Sequence, residues 1–119
     1  MEKIYDLVIL GAGPAGLSAG IYGGRSRLAT LIIEQGKDGG QIAITSSIEN
    51  YPGQMLTGET GATLIARMTE QARLFGAERR SDTIKELRLR EPVKRLIGNH
   101  DEYLAKSVIV ATGAQHRPI

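Results

Sequence analysis

The sequence contains no cysteine among its 119 residues, which excludes a disulfide framework, a thiolate metal site and a nucleophilic thiol within this chain. It lacks any apolar run near the roughly 18 residues that a membrane-spanning helix needs. Its net charge of +2 is too small to indicate nucleic acid or an anionic membrane as the main partner. The first strand begins so close to Met1 that no signal peptide fits before it. We therefore expect a cytoplasmic protein of one domain, with a modest core.

The most informative motif is a glycine-rich turn between an apolar strand, Asp6–Leu10, and a helix. The turn reads Gly11-Ala12-Gly13-Pro14-Ala15-Gly16. Gly11 permits the tight turn, Gly13 lets a diphosphate approach the backbone, and Gly16 lets the helix pack close to the strand. The start of the helix adds free N–H groups and the positive end of the helix dipole. The pattern is typical of a dinucleotide site.

An acidic residue follows the second apolar strand. The strand Ala29–Ile33 ends at Glu34, which lies 18 residues beyond Gly16. A carboxylate at this position can accept both hydroxyls of an adenosine ribose and would repel a 2′-phosphate. The glycines alone do not separate NAD from FAD, and an ordinary strand-to-helix turn that binds nothing is the alternative interpretation.

One more helix is predicted after a long connection, residues 35–53, whose Ile and Tyr content argues against disorder. The helix runs from Thr57 to Gly76, and Thr57 or Thr60 caps its start. We expect the first helix to fray or end at Gly23-Gly24, because glycine disfavours a helix interior. The second helix should bury one apolar stripe against the sheet: Leu64, Ile65, Met68, Ala72 and Phe75.

The remaining sequence predicts short strands. Segments 84–89, 93–97 and 103–104 read as an antiparallel meander with a basic polar face. The acidic residues Glu86 and Glu91 favour a solvated face over a basic groove for an anionic partner. The continuous apolar run Ser107–Ala111 predicts a buried parallel strand. The two histidines, His100 and His116, pair with no nucleophile or acid, so no catalytic residue and no metal site is predicted.

Four motifs follow one another along the chain: Asp6–Ala19, Gly39-Gly40-Gln41, Ile48–Gly53 and Val110–Ala114. In this order and spacing they resemble the N-terminal FAD-binding segment of low-molecular-weight thioredoxin reductases. The resemblance spans nearly the whole chain and implies one α/β FAD-binding domain over residues 1–119. The expected fold is Rossmann-like, a parallel sheet with helices plus an antiparallel β-meander, and the implied cofactor is FAD.

The resemblance also implies cofactor contacts. Asn50 would bond the flavin or its ribityl chain, although an Asx-turn ahead of Tyr51 is the alternative. Thr112 would lie beside the cofactor, with a strand-end cap as the alternative. The residues expected to contact the cofactor are Gly11, Gly13, Pro14, Ala15 and Gly16 at the pyrophosphate; Glu34 at the adenosine ribose; Gly40 and Gln41 in the loop that meets the cofactor; Ile84 at the adenine; and Ala111, Thr112 and Gly113 where the last strand ends.

The sequence departs from the family pattern in three places. Gly23-Gly24 stands where the family usually has alanines, and Arg79-Arg80 stands where it usually has apolar strand residues. Family members continue into an NADPH-binding domain with a Cys-x-x-Cys pair and then complete the FAD site, whereas this sequence ends at Ile119.

The resemblance implies a function for the intact protein. A hydride passes from NADPH to FAD, and electrons then pass to a disulfide and on to thioredoxin or another disulfide acceptor. A homodimer is compatible with this reading. Two alternatives are a non-catalytic, truncated nucleotide-binding module and part of a thioredoxin-reductase-like ferredoxin:NADP reductase.

Overall fold

A computed structural model describes residues 3–36 and 38–113 of the chain. Within them lie one six-stranded sheet, in the order β3-β2-β1-β6-β5-β4, and two helices. Ala114 and His116, which the sequence reading mentioned, lie outside the described residues. The expected α/β class is confirmed. The elements are β1 Ile4–Leu10, α1 Pro14–Arg25, β2 Thr30–Glu34, a 3₁₀ turn Gly40–Ile44, α2 Gly61–Leu74, β3 Glu78–Ser81, β4 Ile84–Arg88, β5 Lys94–Gly98 and β6 Glu102–Val110.

The parallel part of the sheet is built around β1. This strand runs parallel to β2 on one side and to β6 on the other, and β3 continues the parallel order beyond β2. Leu10 lies opposite Ile33 in β2 and opposite Val110 in β6. The carboxyl ends of three strands therefore meet at one edge, where ligands of open α/β sheets bind.

Helices α1 and α2 pack on one face of the sheet. Their shared core contains Leu64, Ile65, Met68 and Ala72, as the stripe predicted. The Thr60 side chain accepts the N–H of Thr63 at 3.1 Å, so Thr60 rather than Thr57 caps α2.

The expectation that Phe75 is buried was wrong. Phe75 is the residue at which α2 ends, and 43% of it is exposed. The following Gly76 takes a positive φ of 97°, a common way to stop a helix. The Phe75 ring lies 5.9 Å from the guanidinium carbon of Arg25. Helix α2 therefore ends at Leu74, one residue before the last residue of the predicted apolar stripe.

From the sequence, helix α1 is expected to fray or end at Gly23-Gly24. In the structure both glycines are helical, and α1 continues to Arg25. A Cβ on Gly23 would lie 2.7 Å from Thr30 Oγ1, and a Cβ on Gly24 would lie 2.7 Å from the carbonyl oxygen of Phe75. Both glycines thus allow α1 to pack closely against β2 and the end of α2. This close packing accounts for glycine at these two positions.

The meander is part of the same sheet. Strands β4 and β5 pair antiparallel, as do β5 and β6. One nine-residue strand, β6, joins the predicted third meander strand to the predicted parallel strand. Leu96 of β5 and Tyr103 of β6 share an apolar cluster with Val8 and Leu31, so the antiparallel strands contribute to a second core beside the one that the helices cover.

The end of β6 is paired as expected but is not buried. Val110 is 60% exposed and Ile109 is 41% exposed. Helix α1 packs against β1 and β2, which leaves the end of β6 uncovered within the described residues. No helix among those residues is long and apolar enough to cross a membrane.

Candidate functional site

The glycine turn after β1 combines two tight contacts with one open position. A Cβ on Gly11, where φ is 113°, would lie 2.1 Å from the Ala111 carbonyl oxygen, and one on Gly16 would lie 1.8 Å from the Gly11 carbonyl oxygen. A Cβ on Gly13 would meet nothing closer than the Gly39 carbonyl oxygen, at 3.7 Å. The open position lies where the motif predicts the approach of a diphosphate.

The N-terminus of α1 is free to bind an anion. Gly13 is the N-cap and supplies no capping side chain, and Pro14 has no N–H to satisfy. The first helical hydrogen bond runs from the Leu17 N–H to the Gly13 oxygen, at 2.9 Å. Within the described residues, the amides of Ala15 and Gly16 have no hydrogen-bond acceptor. Free amides at a helix N-terminus form a ready anion site.

Glu34 connects the end of β2 to the glycine turn. Its Oε2 accepts the Ala12 N–H at 2.7 Å, and its Oε1 accepts the Gly36 N–H at 3.1 Å. An ionised carboxylate has about four acceptor sites. Since two are occupied, Glu34 retains capacity for the two hydroxyls of a ribose.

Two clefts adjoin at Glu34, Gln35 and Thr112, which line both of them. The first, of about 410 Å³, is lined by apolar side chains of β1, β2, β4 and β6 and is called the apolar cleft here. The second, of about 680 Å³, faces the glycine turn; we call it the phosphate cleft. The apolar cleft is lined by Leu10, Gly11, Ile33, Glu34, Gln35, Asp82, Ile84, Lys85, Glu86, Leu87, Val110 and Thr112. Residues of the phosphate cleft include Gly13, Pro14, Glu34, Gly36, Asp38, Gly39, Gly40, Ala111, Thr112 and Gly113.

Most of the predicted contact residues are thus brought together at one sheet edge, and some are not. Asn50 is exposed and lines neither cleft. Among the described residues the side chains of Asn50 and Thr112 make no hydrogen bond, so neither the Asx-turn nor the strand-end cap is formed there. The Tyr51 N–H instead donates to Gln54 Oε1 at 3.0 Å. The side chain of Gln41 lies outside the described part of the chain.

A buried carboxylate that the sequence reading missed anchors the loop carrying Asn50. Glu59 is 4% exposed, pairs with Arg67, and accepts the Thr63 hydroxyl at 2.5 Å and the Met55 N–H at 3.2 Å. Its carbonyl oxygen accepts the Ile48 N–H at 3.1 Å. Thr63 and Arg67 lie four residues apart on one face of α2, and Glu59 lies four residues before Thr63, just ahead of the N-cap. This four-residue spacing is a signal that could have revealed the cluster.

A second buried carboxylate, Asp82, lines the apolar cleft. It accepts the Tyr103 hydroxyl at 2.7 Å and the N–H groups of Thr83 at 2.7 Å and His100 at 3.2 Å. Burial by itself raises the pKa of Asp82, but these hydrogen bonds outweigh it and leave the pKa below its ordinary value. The ionised carboxylate therefore joins the β3–β4 link to the β5–β6 turn.

Comparison with known proteins places this geometry in context. The profile of the pyridine nucleotide-disulphide oxidoreductase family matches residues 5–119. The chain is 51% identical over 117 residues to the thioredoxin reductase of Peptoclostridium acidaminophilum, covering 98% of this chain and 37% of that protein. The resemblance noted in the sequence is confirmed.

Solved structures show the same fold. The thioredoxin reductase of Gloeobacter violaceus superposes with a TM-score of 0.90 at 36% identity, over 97% of this chain and 36% of that one. The thioredoxin reductase of Streptococcus pyogenes MGAS5005 gives 0.91 at 38% identity, over 100% and 38%. The chain thus spans little more than a third of the length of the relatives it matches.

Proposed function

The chain belongs to the pyridine nucleotide-disulphide oxidoreductase family, and from this premise we propose that it is the FAD-binding part of a thioredoxin reductase. The single observation that carries the proposal is the open position at Gly13, the uncapped N-terminus of α1, in the cleft that Glu34 also lines. Open backbone, free donors and a ribose acceptor are the three elements that a dinucleotide requires.

The adenosine half fits the apolar cleft. Ile84 of β4 and Val110 of β6 supply apolar surface for the adenine, while Glu34 stands at the boundary with the phosphate cleft. The uncovered Val110 side chain, 60% exposed, would lose water contact when a base packs on it. The ribose hydroxyls would donate to Glu34.

The diphosphate and flavin would follow along the phosphate cleft. The amides of Ala15 and Gly16 would donate to the diphosphate, with no side-chain carboxylate in the first turn of α1 to oppose it. Gly40 and the strand-end residues Ala111 and Gly113 line the cleft beyond this point. Roles for Gln41, Asn50 and Thr112 at the flavin stay part of the proposal.

When bound, FAD supplies the hydride and electron chemistry, and this chain's residues hold and orient it. The relatives are nearly three times as long as this chain, and the proposed enzyme would draw its NADPH site and redox disulfide from polypeptide outside this sequence. Thioredoxin as acceptor, a homodimer and a cytoplasmic location likewise stay predictions.

A binding titration tests the proposal. The 119-residue chain is titrated with FAD and with ADP, followed by amide NMR shifts, and each ligand is then competed with the other. We expect weak, saturable binding of both at one site, with the largest shifts in residues 11–16. Shifts scattered over the surface without saturation would contradict the proposal.

The continuation of the gene separates the candidate enzymes. A Cys-x-x-Cys pair with a second glycine motif beyond codon 119 supports thioredoxin reductase. A second glycine motif without the cysteine pair would favour a ferredoxin:NADP reductase of the same fold.

A further inference from the structure

The turn after β2 forms the second wall of the phosphate cleft. The Gly39 N–H donates to the Ala12 carbonyl oxygen at 2.7 Å. The Gly39 carbonyl oxygen is the atom nearest to the open position at Gly13. The placement of this turn therefore sets the width of the space that the glycine turn leaves for a ligand.

Arg79 of the edge strand β3 holds that turn, although it lies 41 residues further along the chain than Asp38. Its Nε donates to Asp38 Oδ1 at 2.5 Å, and its Nη2 donates to the Gly36 carbonyl oxygen at 3.3 Å. Its Nη1 donates to Ser81 Oγ in its own strand at 2.6 Å. One planar guanidinium thus connects strand β3 to two residues of the turn.

Gly36 is fixed on both of its backbone polar groups. Its N–H donates to Glu34 Oε1 at 3.1 Å, while its carbonyl oxygen accepts from Arg79. The Arg79 and Asp38 side chains are 32% and 16% exposed, so their ion pair is better shielded from water than a typical surface pair. Since Asp38 lines the phosphate cleft, Arg79 also offsets a negative charge that would repel a diphosphate.

We propose that Arg79 is a positioning residue for the diphosphate of the bound nucleotide, an inference that rests on the proposed function. Arg79 lines neither the apolar cleft nor the phosphate cleft, so it acts through the turn at Gly36 and Asp38. A lysine could not replace it fully, because a single ammonium does not reproduce the planar fork that reaches Asp38, Gly36 and Ser81 together.

The neighbouring Arg80 provides a matched control. It lies in the same strand, pairs with Asp101 at 3.1 Å, and its guanidinium carbon lies 5.8 Å from the Tyr103 ring. It lines neither of the two clefts. Replacing either arginine by methionine therefore removes one cation and one ion pair from β3, and only Arg79→Met removes contacts to the turn.

The test measures ADP affinity and thermal stability together. Dissociation constants for ADP are determined with the 119-residue chain by NMR titration for the wild type, Arg79→Met, Arg79→Lys and Arg80→Met. We expect Arg79→Met to weaken ADP binding roughly fivefold to tenfold, with Arg79→Lys in between and Arg80→Met within about twofold of the wild type. The melting temperature of Arg79→Met should fall more than that of Arg80→Met, because Arg79 makes three hydrogen bonds and the better-shielded ion pair. Affinities are therefore compared at a temperature at which every variant is folded.

Each outcome of these measurements supports or contradicts the positioning role of Arg79. If Arg79→Met fails to fold, Arg79→Lys keeps the charge and carries the test. Wild-type affinity in the folded Arg79 variants, or an equal loss in Arg80→Met, overturns the positioning role while leaving the proposed function in place. A wild-type chain that binds neither ADP nor FAD overturns both.

Discussion

Glu34 accepts the backbone N–H of Ala12 at 2.7 Å, so the carboxylate expected at the ribose also fixes the second residue of the glycine turn. The bond joins the ends of β1 and β2 across 22 residues of sequence. A ligand held by Glu34 would therefore be held relative to the N-terminus of α1 as well. Ribose and diphosphate recognition would then be coupled through one side chain.

Replacing Glu34 by alanine should weaken FAD binding by about 1.5–3 kcal/mol, because hydrogen bonds to a charged group are lost. Flavin titration of the variant measures this change. Glu91→Ala is the control, since Glu91 is exposed and lines neither cleft. An affinity equal to that of the wild type would remove Glu34 from the site.

Two glycines of the turn should respond in opposite ways to alanine. At Gly13 the backbone is extended, with φ of −79°, and a Cβ has 3.7 Å of clearance, so Gly13→Ala should fold normally while weakening ADP and FAD binding. At Gly16 a Cβ would lie 1.8 Å from the Gly11 carbonyl oxygen, so Gly16→Ala should cost about 1–3 kcal/mol of stability. Urea unfolding and ADP titration of both variants test the contrast. Normal ADP binding by Gly13→Ala would place the diphosphate elsewhere.

The sequence predicted the glycine turn, its flanking strands and Glu34 because these features are local. Strand periodicity, turn chemistry and the spacing to an acid all lie within the first 34 residues. The contact between Arg79 and Asp38 was not predictable in this way. It depends on β3 pairing in parallel beside β2, and nothing in the local pattern around Arg79 indicates that register.

The errors in the sequence reading have physical causes of the same kind. Phe75 continues the apolar stripe of α2, but the chain leaves the helix at that residue. Val110 belongs to an apolar run, but its burial depends on what covers the end of β6 rather than on the run itself. Burial is a property of neighbours that are remote in sequence, and a local pattern predicts it only where those neighbours are present.

Stability at acid pH should depend on Asp82. Its pKa is lower in the folded protein than its ordinary value of about 3.9. The ionised form is thus favoured by folding, and its contribution is complete above about pH 4 and is lost as the pH falls through the folded pKa. Urea unfolding measured from pH 7 to pH 3 should show a steeper acid loss for the wild type than for Asp82→Asn.

Tyr103→Phe gives an intermediate test of the same network. It removes one hydrogen bond to Asp82 but keeps the N–H donors of Thr83 and His100. Its acid loss should fall between those of the wild type and Asp82→Asn. Parallel stability curves for all three proteins would show that Asp82 titrates alike in the folded and unfolded states.

The 119-residue chain by itself should not transfer electrons from NADPH to thioredoxin or to a disulfide dye. The reason lies in the residues available: the sequence has one dinucleotide motif, assigned to FAD, and no cysteine to relay electrons to a disulfide. Free flavin oxidises NADPH slowly, so the assay compares the chain plus FAD with FAD alone at the same concentration. We expect equal rates.

Co-expression with the remaining two-thirds of a related thioredoxin reductase should raise the rate above both, because the NADPH site and the disulfide would then be present. Disulfide reduction by the chain alone, clearly above the FAD control, would contradict the assignment of its single nucleotide site to FAD.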